Sequence, residues 1–300
     1  MLGYDRPLFM LAFDHRGSFQ KTFFGVQGKP SAEDEAKIRD AKRLIWEGML
    51  AALAEGLPRE GAGILVDERS GAEVAREAKD QGVALAMPVE RSGQDEFDLE
   101  YGEAFGEHIG SFDPDFAKVL VRYNPEGDSQ MNARQADRLK RLGDWLHARD
   151  RKFLFELLVP ATPAQLGAVE GDPARYDTGL RPGLMRRTIE ELQNAGVEPD
   201  VWKIEGMDRR EDCAAIADIA RAGGRDGVGC IVLGRGADDD AVDRWLRAGS
   251  GVPGYLGFAI GRSIWWAPLR GYVDGDLSRE SAAKAIGANH RRFVDVYRAG

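Results

Sequence analysis

DVWKIE, residues 200–205, is a short apolar run with a lysine, Lys203, at its centre. Strands buried on both faces read as near-continuous apolar runs, as in a parallel sheet covered by helices. Neighbouring residues on a strand point to opposite faces. With Trp202 and Ile204 packed outward against helices, Lys203 turns inward. Seven further runs share this character: LFMLAFD (8–14), GILVD (63–67), ALAMPV (84–89), AKVLVRY (117–123), KFLFELLV (152–159), GCIVLG (229–234) and GYLGFAIG (254–261).

The stretches between these runs read mostly as helices. SAEDEAKIRDAKRLIWEGMLAALAEG (31–56) opens with a Ser cap, and GAEVAREAKDQG (71–82) stops at a Gly. Residues 132–150, 183–196, 210–224, 237–249 and 278–297 repeat the helical spacing. Eight strands alternating with helices predict a single (β/α)8 TIM barrel over residues 1–300, with an open doubly wound sheet as the alternative. Two loops, 90–115 after strand 3 and 160–182 after strand 5, fall where they overhang the active face of a barrel.

The formal net charge is -9. A field of that sign disfavours nucleic acid and anionic membranes as partners, while a locally basic pocket still takes small anions. Two cysteines, Cys213 and Cys230, do not suggest a disulfide framework. The N-terminal stretch has no long apolar segment and no run is long enough to cross a bilayer, so a cytoplasmic location is expected.

In a barrel, alternate strand residues face the lumen, and catalytic groups sit at the C-terminal strand ends. Asp14 and Asp67 end strands 1 and 2. Lys118 and Arg122 share a phase on strand 4, Glu156 interrupts strand 5, and Lys203 interrupts strand 6. A lysine inside a barrel is costly unless paired or neutral. One reading of Lys203 is an ion pair with Glu156 or Asp67. The other is catalysis: a neutral amine condenses with a ketone, and the iminium draws electrons from a neighbouring C–C bond. An ordinary lysine titrates near 10.4, so activity near neutrality needs a bias of roughly 4 kcal/mol toward the neutral form. Burial and Lys118 are candidate sources, with Glu156 as proton shuttle.

Strands 7 and 8 run into Gly234–Arg235–Gly236 and Gly261–Arg262. Loops at these positions hold phosphate in many barrels, through backbone N–H groups and a helix N-terminus, with arginine adding charge. There are four histidines, with no His-x-His or His-x-x-x-His spacing. His147 and His290 fall within helices and read as surface residues; His15 alone follows a strand. A zinc site is unsupported. Magnesium held by Asp14, Asp67 and Glu156 stays open.

The segments LFMLAFDHRGSF (8–19), ILVDERSGAEVAREA (64–78), KVLVRYNPEGD (118–128), FLFELLVP (153–160), DVWKIEG (200–206) and GFAIGRSIWWAPL (257–269) together resemble class I aldolases of the tagatose-1,6-bisphosphate type. They are more similar still to the aldolase domain fused to 5-dehydro-2-deoxygluconokinase in inositol catabolism. The resemblance implies Lys203 as the Schiff-base lysine, without a cofactor, assisted by Glu156 and Lys118. It implies Asp14 near substrate hydroxyls, and a phosphate turn at Gly261 and Arg262 with a second at Gly234 and Gly236. His15 stands where tagatose-bisphosphate aldolases commonly have Gln, which favours the inositol branch. The implied substrate is 5-dehydro-2-deoxy-D-gluconate 6-phosphate, giving dihydroxyacetone phosphate and malonic semialdehyde. A carboxylate-bearing substrate needs a second anion site, for which Arg122 and Arg16 are candidates. Cleavage of another ketose phosphate and a non-catalytic sugar-phosphate-binding barrel are the alternatives; self-association is compatible with either.

Overall fold

In the computed structural model, which describes residues 2–300, eight strands close into one parallel barrel in sequence order. They are β1 (Leu8–Ala12), β2 (Ala62–Leu65), β3 (Ala84–Pro88), β4 (Phe116–Arg122), β5 (Lys152–Leu158), β6 (Val201–Glu205), β7 (Gly229–Leu233) and β8 (Tyr255–Ile260). β8 returns to pair with β1, so no sheet edge is left open. Helices connect and surround the strands, giving a (β/α)8 TIM barrel.

Alternation along each strand divides the core in two. Trp202, Phe155, Val232 and Phe258 face outward into the layer shared with the helices. Leu8, Met10, Phe116, Leu154, Val201 and Ile231 fill the lower lumen. That inner plug is apolar throughout, and Tyr4 seals it from below against Phe116, with ring centroids 5.1 Å apart. Lys118, Glu156 and Lys203 therefore stand over an apolar floor.

Helix Ala32–Ala54 starts at Ser31, whose hydroxyl accepts from Asp34 N–H while Asp34 reaches back in a capping box. β1 and β2 end earlier than the sequence suggests, at Ala12 and Leu65. Asp14 consequently sits in a turn, and Asp67 is the N-cap of helix Glu68–Asp80. Residues 90–115 hold a Glu90–Leu99 bridge and a helix at Phe105–Phe112. Residues 160–182 fold into short helical pieces before helix Arg181–Asn194.

The surface reading of His290 is corrected. His290 is wholly buried. It lies on the inner face of helix Arg279–Ala299, edge-on to Phe258 with centroids 5.9 Å apart. Its spacing from Ile286, Phe293 and Tyr297 is that of a core stripe, and the polar ring hid the stripe. His147 is partly buried and meets Asp200 at 3.1 Å.

Candidate active site at the C-terminal barrel mouth

Register places Glu156 of β5 directly beside Lys203 of β6. Lys118 of β4 lies one strand further round, level with Leu154. All three side chains point into the lumen, and their exposures are 6%, 2% and 1% for Glu156, Lys203 and Lys118. Across the lumen, Ala12, Ala86 and Ala259 are small, which leaves room for two long lysines.

One carboxylate oxygen joins the lysines. Glu156 Oε2 lies 2.9 Å from Lys118 Nζ and 3.0 Å from Lys203 Nζ. Lys118 also meets Asp14 Oδ2 at 2.9 Å and Glu90 Oε1 at 3.2 Å. Among the described residues its ammonium thus has three carboxylates around it, whereas Lys203 has one. Burial disfavours the charged form of Lys118, but Asp14, Glu156 and Glu90 outweigh it and raise the pKa above the usual lysine value. Burial pulls the carboxyls of Asp14 and Glu156 upward; Lys118 and Lys203 overcome this and hold both below the ordinary range. For Glu90 burial wins over Lys118 and Arg16, and the pKa is raised. The three acids around one ammonium therefore differ in their hold on a proton.

His15 follows Asp14 and packs edge-on against Trp265, 5.7 Å between centroids. Burial lowers its pKa to about 4 against the opposing pull of Asp14, so the ring is neutral near pH 7. Arg16 is engaged by Glu90 at 3.0 Å and Glu100 at 3.9 Å. Asp67 caps its helix by accepting from Ser70 N–H at 3.0 Å, and its other oxygen contacts Lys42. Asp14, Asp67 and Glu156 do not converge on a vacant centre, because Asp14 and Glu156 meet on Lys118 while Asp67 is held by Lys42. Among the described residues no group of His, Cys, Asp and Glu is arranged to hold a metal ion.

Arg122 donates to the Gln94 carbonyl oxygen at 3.0 Å and meets no carboxylate among the described residues. Arg235, in contrast, is held by Asp177 at 2.7 Å and Glu205 at 3.2 Å. Arg262 donates to the Arg235 carbonyl oxygen at 2.8 Å, and among the described residues it pairs with no carboxylate. Gly236 has φ +71, and a Cβ there would come within 2.4 Å of the Arg262 guanidinium. A Cβ on Gly261 would come within 2.3 Å of the Ala12 carbonyl oxygen. Gly261 is the N-cap of helix Arg262–Val273, which begins without any side-chain cap. The mouth thus carries a helix N-terminus without a side-chain cap beside an arginine that meets no carboxylate among the described residues, a setting suited to an anion.

These groups line one cavity of about 1500 Å³ at the C-terminal ends of the strands. Asp14, Lys118, Glu156 and Lys203 form its floor, with Arg122 on one side and Gly234, Gly236, Gly261 and Arg262 on another.

The sequence reading missed Glu90, Lys42 and Glu205. Glu90 follows the lumen-facing Pro88 by two residues, so strand phase pointed to it; it falls at the start of the loop read only as overhanging the active face. Glu205 shares the phase of Lys203 and accepts from Val159 N–H at 2.9 Å. Lys42 lies within an ordinary amphipathic helix, and no local pattern distinguishes it.

The chain is 27% identical over 202 residues to tagatose 1,6-diphosphate aldolase of Listeria monocytogenes, covering 65% of this chain and 54% of that protein. The protein of the same name from Listeria innocua is 26% identical over the same coverage. The chain spans about half the length of the curated relatives it matches. The crystal structure of Cgl0159 from Corynebacterium glutamicum superposes with a TM-score of 0.60 at 17% identity, covering 98% of this chain and 88% of the other, a likeness of fold. Residues 4–300 match the model of the family described as "Uncharacterized protein conserved in bacteria (DUF2090)", and the chain belongs to that family.

Proposed function

We propose that the protein is a class I aldolase that cleaves a phosphorylated ketose through a Schiff base on Lys203. The observation that carries this reading is the sharing of Glu156 Oε2 by two buried lysines at 2.9 and 3.0 Å, at the floor of a cavity with an anion-ready rim. A structural ion pair needs one lysine for one carboxylate. Here Lys118 is already surrounded by acids, and Lys203 has a single, shared partner.

In the proposed reaction Lys203 passes a proton to Glu156, and the neutral amine attacks the ketone carbon. The carbinolamine loses water, with Glu156 returning the proton to the departing oxygen, and an iminium forms. A carboxylate of the Asp14, Glu90 and Glu156 set takes the proton of the substrate hydroxyl. The C–C bond breaks, its electron pair neutralises the iminium as an enamine, and the hydroxyl carbon leaves as an aldehyde. Protonation of the enamine carbon and hydrolysis release the ketone product and free Lys203. Lys118 stays charged throughout and stabilises the oxyanions.

For the phosphate, the backbone at Gly234, Gly236 and Gly261 with Arg262 is the proposed site. Arg235 contributes through the shape of its turn, since its own charge is engaged. Arg122, free of carboxylates, is the proposed partner for an acidic group at the far end of the substrate, in preference to Arg16. This supports 5-dehydro-2-deoxy-D-gluconate 6-phosphate as substrate, yielding dihydroxyacetone phosphate and malonic semialdehyde, a step of inositol catabolism. The second reading is a bisphosphorylated ketose, favoured by the name of the Listeria relatives.

The test is intact mass after borohydride treatment with dihydroxyacetone phosphate. A reduced adduct on Lys203, absent in Lys203→Met, is expected, with cleavage insensitive to chelator. Cleavage that survives Lys203→Met, or that needs a divalent metal and leaves no adduct, overturns the mechanism. Binding of ketose phosphates without any product indicates a non-catalytic barrel. Turnover of the carboxylated against the bisphosphorylated ketose separates the two substrate readings.

A further inference from the structure

Lys42 is 1% exposed, yet it belongs to helix Ala32–Ala54, outside the barrel wall. Its amino group contacts Asp67, which caps the helix after β2, and donates to the His15 carbonyl oxygen at 3.1 Å. The Phe19 ring lies 5.9 Å away. His15 sits in the irregular turn between β1 and helix Gly17–Phe24. That helix has no side-chain cap at its start, and its N-cap, Arg16, has φ -108 and ψ -97. The residues on either side of His15 both reach the site. Asp14 holds Lys118 at 2.9 Å, and Arg16 holds Glu90 at 3.0 Å.

We propose that Lys42 is a positioning residue, which clamps the Asp14–His15–Arg16 turn to the end of β2 and thereby sets Asp14 against Lys118. A buried ion pair is weak evidence for stability, since a well-packed apolar pair of similar volume often does as well. Its use is to fix one arrangement. Here a single lysine side chain ties together two segments that no strand pairing joins beyond Phe13. A methionine fills the same volume but leaves the His15 carbonyl free to turn. A misplacement of about 1 Å costs up to roughly a hundredfold in rate.

The inference rests on the aldolase reading for its kinetic consequence, and has a second readout that does not. Lys42→Met and the double variant Lys42→Met with Asp67→Asn are compared with the wild type. The double variant leaves no buried carboxylate without a partner. Expected for the double variant are a thermal midpoint near the wild-type value, a kcat lowered by roughly tenfold or more, a little-changed KM, and a retained borohydride adduct on Lys203. Amide hydrogen exchange should speed up in peptides covering Phe13–Gly17 and stay unchanged in the strands. Unaltered exchange in that turn, or a loss of protection spread over the whole barrel, overturns the clamp whatever the reaction. An unchanged kcat in a double variant with a loosened turn overturns its catalytic relevance. A wild-type protein that yields no adduct sinks the aldolase reading and leaves the exchange result to decide on the clamp.

Discussion

Replacing His290 with leucine should flatten the acid side of the stability profile. His290 is fully buried beneath helix Arg279–Ala299, and burial lowers its pKa to about 4 from 6.5, against a weaker upward pull from the backbone of Phe9. In the unfolded chain the ring takes a proton near pH 6.5; in the folded protein it resists until about pH 4. The neutral form is the one the fold holds, so the contribution is complete above pH 6.5 and disappears as pH falls toward 4. The gap corresponds to about 3 kcal/mol over the whole window, of which about 2 kcal/mol falls between pH 7 and pH 5. Urea unfolding of wild type and His290→Leu at pH 7 and pH 5 isolates this contribution, because His15 and the carboxylates titrate alike in both proteins. The wild type should lose about 2 kcal/mol more than the variant over that interval. Parallel losses in the two proteins would refute the argument, since a ring that kept water or a partner on protonation has no such penalty.

Other perturbations separate parts of the site. Glu90→Gln keeps the shape but removes a charge shared by Lys118 and Arg16, and should lower kcat by roughly tenfold or more while the lysine adduct still forms, read by steady-state kinetics and borohydride trapping. Arg262→Ala should raise KM for a ketose phosphate by roughly tenfold to a hundredfold, the value of one charge-assisted hydrogen bond. Arg235→Ala should move KM less, because Asp177 and Glu205 already hold that side chain. Asp200→Asn, at the opposite end of the barrel, should cost about 1–3 kcal/mol in urea unfolding and leave kcat unchanged. Its carboxylate is buried and accepts from Gly3 N–H at 2.7 Å and Phe153 N–H at 2.8 Å.

The barrel was legible because strands buried on both faces leave a strong signal. The inward lysine of VWKIE followed from alternation alone, as did Glu156 and Lys118. Residues off the strands were harder to read. Asp14 and Asp67 look equivalent in sequence, each at the end of an apolar run. Only the fold separates them, sending one to Lys118 and the other to a helix cap and Lys42. Arg235 and Arg262 look equivalent too, each beside a glycine. Asp177, brought over by the segment after β5, engages the first and not the second. His290 misled for the opposite reason: a titratable ring was taken for surface, although it occupies a position of the apolar stripe. These distinctions depend on contacts between residues far apart in the chain, which periodicity does not encode.

The same dependence explains how two lysines on neighbouring lumen faces acquire different parts. Composition gives them equal chemistry, and strand phase gives them similar burial. What differs is the number of carboxylates each one meets, and that number is set by elements outside their strands. The turn after β1 brings Asp14 to Lys118, and the residue beyond Val89 brings Glu90. Among the described residues nothing comparable reaches Lys203, whose one acid is the register partner on β5. A fixed cation and an amine with a single, shared proton acceptor thus arise side by side from identical residues. In that arrangement Lys118 and Lys203 together hold Glu156 as an anion, and Glu156 is the carboxylate through which the two lysines are linked.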